Sequence, residues 1–208
     1  MLQPSVLNLK IYKMDELDYL EILKGINNYI IIENSQKKPH KSVEKSLILS
    51  GSFNPLHDGH IGLLKAARDI TNLDPFFEIS ISNVDKKNIN LNDLNIRIKQ
   101  FDNVGKLIIT NSPAFEDKSN IFKKSIFIIG YDTAIRIMDE KYYKGDIFKS
   151  FSNINNNECG FIVSGRSVNG DYKDLNDINI AGFEELFTPL PKENFRFDIS
   201  STQLRKDL

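Results

Sequence analysis

Apolar and polar positions along this chain fall into two alternating rhythms. Five short runs, Ser46–Ser50, Phe76–Ser82, Lys106–Thr110, Ser125–Gly130 and Cys159–Ser164, are dense in Ile, Leu, Val and Phe and flanked by turn-forming residues. Runs of this length and composition read as strands, and in the second of them Phe77, Ile79 and Ile81 alternate with polar neighbours. Between the runs the apolar period lengthens to that of a helix, over Ile61–Thr71, Leu91–Phe101, Ala114–Lys123, Thr133–Met138 and Asp146–Phe151. Leu91, Leu94, Ile98 and Phe101, for example, share one face. Strands separated by helices predict an α/β fold, a doubly wound and mostly parallel sheet with helices on both faces. Ligands of such sheets sit beyond the carboxyl ends of the strands.

The first forty-five residues follow a different pattern. Asp15 is placed to cap a helix whose apolar face runs through Tyr19, Ile22, Leu23, Ile26 and Ile30, and polar, Lys-rich residues from Asn34 to Lys45 read as a linker. The expected organisation is therefore a short N-terminal helical extension with its linker over residues 1–45, and one domain over residues 46–208. Asn153–Gly182, rich in Asn, Asp and Gly, predicts a long surface loop, and no internal repeat is visible.

Composition narrows the classes of function. Of 208 residues, 27 are basic and 28 acidic, with no basic block, so nothing favours a nucleic-acid partner. The single cysteine, Cys159, lies in an apolar run and reads as a buried thiol, which removes intrachain disulfides and cysteine metal sites. No stretch is long and apolar enough to span a bilayer, and the N-terminus lacks a signal-peptide pattern. The expectation is a cytoplasmic protein, with the nucleus open and no membrane partner; its oligomeric state is not legible.

Chemistry concentrates where the first apolar run of the domain empties into Gly51-Ser-Phe-Asn-Pro-Leu-His-Asp-Gly-His60. A strand whose loop feeds a helix N-terminus makes an anion site, because free backbone N–H groups and the positive end of the helix dipole point into the gap. His57 and His60, three residues apart, add imidazole donors on the same side. Two histidines with no matching third ligand give thin support for zinc, and the third histidine, His40, lies in the polar linker. A second strand end, Gly130-Tyr-Asp132, opens onto the same edge of the predicted sheet, although Asp132 also suits a helix cap. Near the C-terminus, Ile199-Ser-Ser-Thr-Gln-Leu-Arg205 reads as a capped helix start with an Arg one turn in, able to lean over an anion held by the Ser/Thr amides. Gly105-Lys106 lacks the remainder of a phosphate loop.

The two outer motifs, GSFNPLHDGH and ISSTQLRK, together resemble those of the nucleotidyltransferase superfamily that is related in fold to class I aminoacyl-tRNA synthetases. Its members carry G-x-F-x-P-x-H-x-G-H early and I-S-S-T-x-x-R late. The Gly130-Tyr-Asp132 turn is similar to the G-x-D turn of nicotinamide/nicotinate mononucleotide adenylyltransferases, and the overall pattern looks closest to a cytidylyltransferase-like eukaryotic branch. The resemblance covers Gly51 to Leu208 and implies a Rossmann-like sheet. It also implies in-line attack of a mononucleotide 5′-phosphate on the α-phosphate of ATP, with pyrophosphate leaving and no general base required.

Under that resemblance His57, His60 and Arg205 are the catalytic residues. Gly51, Ser52, Phe53, Lys86, Gly130, Asp132, Ile199, Ser200, Ser201 and Thr202 bind nucleotide, and Lys86, with Lys87 beside it, lies where relatives often carry a substrate-side lysine. The implied partners are ATP and a mononucleotide, and Mg²⁺ rides on the phosphates with no protein metal site. Two readings stand beside this one: cytidylyl or adenylyl transfer to another phosphorylated small molecule, and a nucleotide-binding regulatory protein with weak ATPase activity. The chain departs from its relatives in having no tryptophan, which several of them place near the pyridine ring. Little chain follows the ISSTQLRK segment, and Arg196 only faintly resembles the R-T-E-G-I-S-T-S element of cytidylyltransferases.

Overall fold

The computed structural model describes residues 12–84, 87–143, 146–180 and 182–196. Its centre is an eight-stranded sheet with helices on both faces, the predicted α/β architecture. The expected strands are present as β3 (Ser46–Ser50), β4 (Asp74–Ser80), β5 (Leu107–Thr110), β6 (Ile126–Gly130) and β7 (Gly160–Ser164). The expected helices are α2 (Asp58–Thr71), α3 (Leu91–Ile98, continued by a tight turn over Lys99–Phe101), α4 (Phe115–Ile121), α5 (Tyr131–Ile137) and α6 (Ile147–Asn156). Two further strands, β1 (Tyr29–Glu33) and β10 (Phe187–Leu190), together with the two-residue β2 (Gln36–Lys37), complete the sheet.

The parallel strands run in the order β10-β7-β6-β3-β4-β5. The chain starts in the middle at β3, winds outward through β4 and β5, then returns to β6 and winds the other way. The reversal falls between β3 and β6, which pair in parallel through Leu47, Ile48 and Leu49 against Ile126, Phe127 and Ile128. A gap must open there, because the two loops leaving adjacent strands turn to opposite faces.

Successive strand residues point to opposite faces, and two cores follow from that alternation. On one face Leu47, Leu49, Phe77 and Ile79 pack against Leu63, Leu64 and Ala67 of α2 and Leu94 and Ile98 of α3. On the other, Ile48, Phe127, Ile129, Phe161 and Val163 pack against Ala134, Ile137, Phe151 and Ile154 of α5 and α6. Cys159 is buried in this second core.

The N-terminal region corrects the expectation of a purely helical extension. Asp15 does cap a helix, its carboxylate accepting the Asp18 N–H at 2.8 Å, but that helix, α1, spans only Glu16–Leu23. Ile26 is 67% exposed, and Ile30 belongs to β1, which pairs antiparallel with β5 through Tyr29 to Ile32. Ile30 and Ile32 enter one core and Tyr29 and Ile31 the other. Asn95 of α3 ties the segment down further, accepting from the Met14 N–H at 2.8 Å and donating to its carbonyl at 3.0 Å.

The expected long loop over Asn153–Gly182 is also shorter than predicted. α6 runs to Asn156, and β7 is followed by a hairpin, β8 (Arg166–Val168) with β9 (Asp171–Lys173). No helix among the described residues is long and apolar enough to cross a membrane.

Candidate active site

Two loops meet at the switch point. The first, residues 51–57, leaves β3 and enters α2, and its shape follows from one packed ring. Phe53 is 1% exposed with φ +42°, and folds back over Gly51. A Cβ on Gly51 would lie 2.9 Å from the tip of the Phe53 ring, so only glycine fits. The expected nucleotide contact from Phe53 is therefore limited to its backbone, because the ring is committed to the core. It stands edge-on to Phe77 and Phe101 from below and to His60 at 4.9 Å from above.

α3 and the turn after it brace this loop from outside. Arg97 donates from Nη1 to the Ser52 carbonyl at 2.9 Å, and the Gln100 amide bridges the loop, donating to the Phe53 carbonyl at 3.0 Å and accepting from the Leu56 N–H at 2.8 Å. Arg97 and Gln100 were missed from sequence, where polar residues on an amphipathic helix read as a solvated face. The loop's carbonyls are thus held by side chains.

His57 and His60 stand at the start of α2 with their rings stacked, centroids 3.7 Å apart. The His57 N–H donates to Nδ1 of His60 at 3.3 Å. With Nδ1 accepting, a neutral His60 carries its proton on Nε2, which makes that atom a donor. Burial, and secondarily the neighbouring His57, push the His60 pKa down to about 4, and burial lowers His57 as well. Both rings are therefore neutral at pH 7, and they present N–H donors beside the free amides of a fourteen-residue helix.

The second is the turn at Gly130, where β6 passes directly into α5; a Cβ there would meet nothing within 4 Å, so the space beside it is open. Asp132 is not a helix cap, since Gly130 holds that position in α5. Its carboxylate is ion-paired with Arg166, which follows the end of β7. The pair ties the first turn of α5 to the start of β8, a link that no sequence spacing announces.

The same edge carries a buried polar cluster on the α4–α6 face. Lys118 of α4 donates to both carboxylate oxygens of Glu78 at 2.8 Å and to the Ser112 carbonyl at 2.6 Å, while Thr110 Oγ1 donates to Glu78 Oε1 at 2.6 Å. Both ionic side chains are almost fully buried, 4% and 1% exposed. On the strand ends beside it, the hydroxyls of Ser50 and Ser80 are buried with no hydrogen-bond partner. This cluster too was missed, because Glu78 looked like the solvent-facing member of an alternating strand.

Of the predicted site residues, the structure brings Gly51, Ser52, Phe53, His57, His60, Gly130 and Asp132 to the carboxyl ends of the two central strands. Lys86, Ile199, Ser200, Ser201, Thr202 and Arg205 lie outside the described residues. No group of three or more His, Cys, Asp or Glu among the described residues could hold a metal ion.

A doubly wound sheet with paired imidazoles and a glycine-shaped loop at its switch point is the class of α/β architecture suited to a phosphate ester. The chain belongs to the cytidylyltransferase-like family of nucleotidyltransferases, whose profile matches residues 48–207. It is also 31% identical over 111 residues to a Schizosaccharomyces pombe protein provisionally named a nicotinamide mononucleotide adenylyltransferase. That match spans 47% of this chain and 43% of the yeast protein.

Proposed function

We propose that this chain transfers the adenylyl group of MgATP to a pyridine mononucleotide, giving NAD or its deamido form and pyrophosphate. The observation that carries the reading is the state of His60: neutral, with Nδ1 held by the His57 N–H, and standing at the helix N-terminus on the switch point. A 5′-phosphate is already ionised at neutral pH, so the step needs no base. It needs an in-line geometry and donors for the charge that develops on the α-phosphate oxygens. In this reading His60 Nε2–H donates to those oxygens and His57 to the adjoining phosphates. The 51–57 loop and Gly130 admit the nucleotide backbone closely.

The triphosphate tail is assigned to Ile199, Ser200, Ser201, Thr202 and Arg205. Phe195 supports this: its ring lies 3.1 Å from where a Cβ on Gly62 would stand, so the chain reaches residue 195 against α2, five residues past His57. At about 3.5 Å per residue, Ser200 is within reach of the same helix start. Mg²⁺ is assigned to the nucleotide's own phosphates, because it prefers oxygen ligands and keeps several waters. Asp132 is assigned to the adenosine side, and binding there would compete with or recruit Arg166. Lys86 is assigned to the acceptor side.

A second reading, transfer to a different phosphorylated small molecule, rests on the absence of tryptophan for a pyridine ring and on the Glu78–Lys118 cluster beside the site. Purified protein with MgATP or MgCTP and a panel of phosphorylated acceptors separates the two. Dinucleotide formation from ATP and nicotinamide or nicotinate mononucleotide supports the first. Pyrophosphate release only with another acceptor, or only with CTP, replaces it with the second.

A further inference from the structure

A cavity of about 390 Å³ opens at the opposite edge of the sheet, between α2, the turn before β5 and the end of β1. The nucleotide reading makes no use of it. Its floor is formed by Leu64, Pro75 and the edge of the Phe77 ring, which is 2% exposed, and its lips are Ile61 and Val104, each 37% exposed. Such a volume suits a small organic molecule, and an apolar floor with a few polar groups at the rim is the usual composition of a ligand site.

The rim is charged in a particular way. Asp74 is neutralised by Lys106, whose Nζ lies 2.7 Å from both carboxylate oxygens. Lys65 and Arg68, one turn apart on α2, make no side-chain ion pair or hydrogen bond among the described residues. Glu33 is the remaining carboxylate of the lining. Two uncommitted cations against one uncommitted carboxylate leave the mouth with a single net positive charge.

We propose that this cavity is a second binding site, for a small amphipathic monoanion. Its apolar ring or short acyl body lies on that floor between Ile61 and Val104, and its carboxylate, sulfonate or single phosphate sits between Lys65 and Arg68. A triphosphate does not fit this description, since the floor is apolar and the net charge is only one. The site lies at the amino ends of β4 and β5, whereas the histidine site lies at the carboxyl ends of β3 and β6.

Anilinonaphthalene sulfonate, an apolar ring system with one anionic group, is a direct probe of it by fluorescence titration on the full-length protein. The expected result is saturable binding of one dye per chain that persists at saturating MgATP. Lys65→Ala with Arg68→Ala should weaken it by at least about tenfold, the loss of one charge-assisted hydrogen bond. Val104→Trp, which fills the cavity from its rim, should abolish it. Thermal unfolding of each variant shows whether the fold is intact, and the double variant changes only exposed side chains. Absence of saturable binding, displacement by MgATP, or binding unchanged in both folded variants overturns the proposal.

Discussion

At the scale of single residues, His60 is the most consequential. Removing one donor to developing phosphoryl charge costs about 10²–10³ in rate, so His60→Ala should lose turnover by that factor, while losing the acceptor of the His57 N–H should lower stability by only about 1 kcal/mol in thermal unfolding. The titration of His60 has a defined sign. Its folded pKa of about 4 lies below the ordinary value of 6.5, so the unfolded chain binds more protons between those limits. Its contribution to stability is therefore intact above pH 6.5 and is lost as pH falls towards 4. The His60 ring resonance in NMR should show a midpoint near 4 in the free protein; a midpoint near 6.5 would mean an exposed, unconstrained ring. Both histidines and the loop glycine were legible in sequence, because their spacing and their place after a strand carry the chemistry. The braces Arg97 and Gln100 and the Asp132–Arg166 pair were not, since they depend on partners 34 to 47 residues away.

At the scale of elements, buried apolar runs gave up β3 to β7 readily. β1 was hidden because Tyr29-Ile-Ile-Ile32 is buried on both faces and shows no alternation, while Ile26 and Ile30 happen to extend the period of α1. β10 contains Pro189, which argues against a central strand but is tolerated here at the edge of the sheet. The residues before Lys45 are therefore part of the domain's sheet and not a separate extension. Their deletion removes β1 and exposes the flank of β5, so the truncated chain should unfold at markedly lower temperature or fail to stay soluble. An unchanged melting temperature would show that β1 contributes nothing. Lys118→Met tests the buried cluster in the same way. Leaving Glu78 without its cation costs about 3–5 kcal/mol, which should appear as a lower urea midpoint.

At the scale of the whole molecule, the winding order places the reversal of the sheet between β3 and β6, and every described residue of the candidate site lies at that edge, in the 51–57 loop, at the end of β6 or in the first turns of α2 and α5. The fold class and this placement follow from the alternation of strands and helices, whereas the choice of acceptor depends on loop side chains that carry no periodic signal. Arg205→Lys keeps the charge and removes a planar fork able to span two phosphate oxygens, the role proposed for Arg205. It should lower both apparent ATP affinity and turnover without shifting thermal stability, and unchanged kinetics would remove Arg205 from the phosphate site. The central claim is that reaction occurs at the α-phosphate. It is tested most directly by incubating the protein and acceptor with ATP labelled at either the α or the γ phosphorus and following both labels. The account predicts α label in a product joined to the acceptor and γ label in pyrophosphate. Formation of ADP, with γ label released as inorganic phosphate, would contradict it.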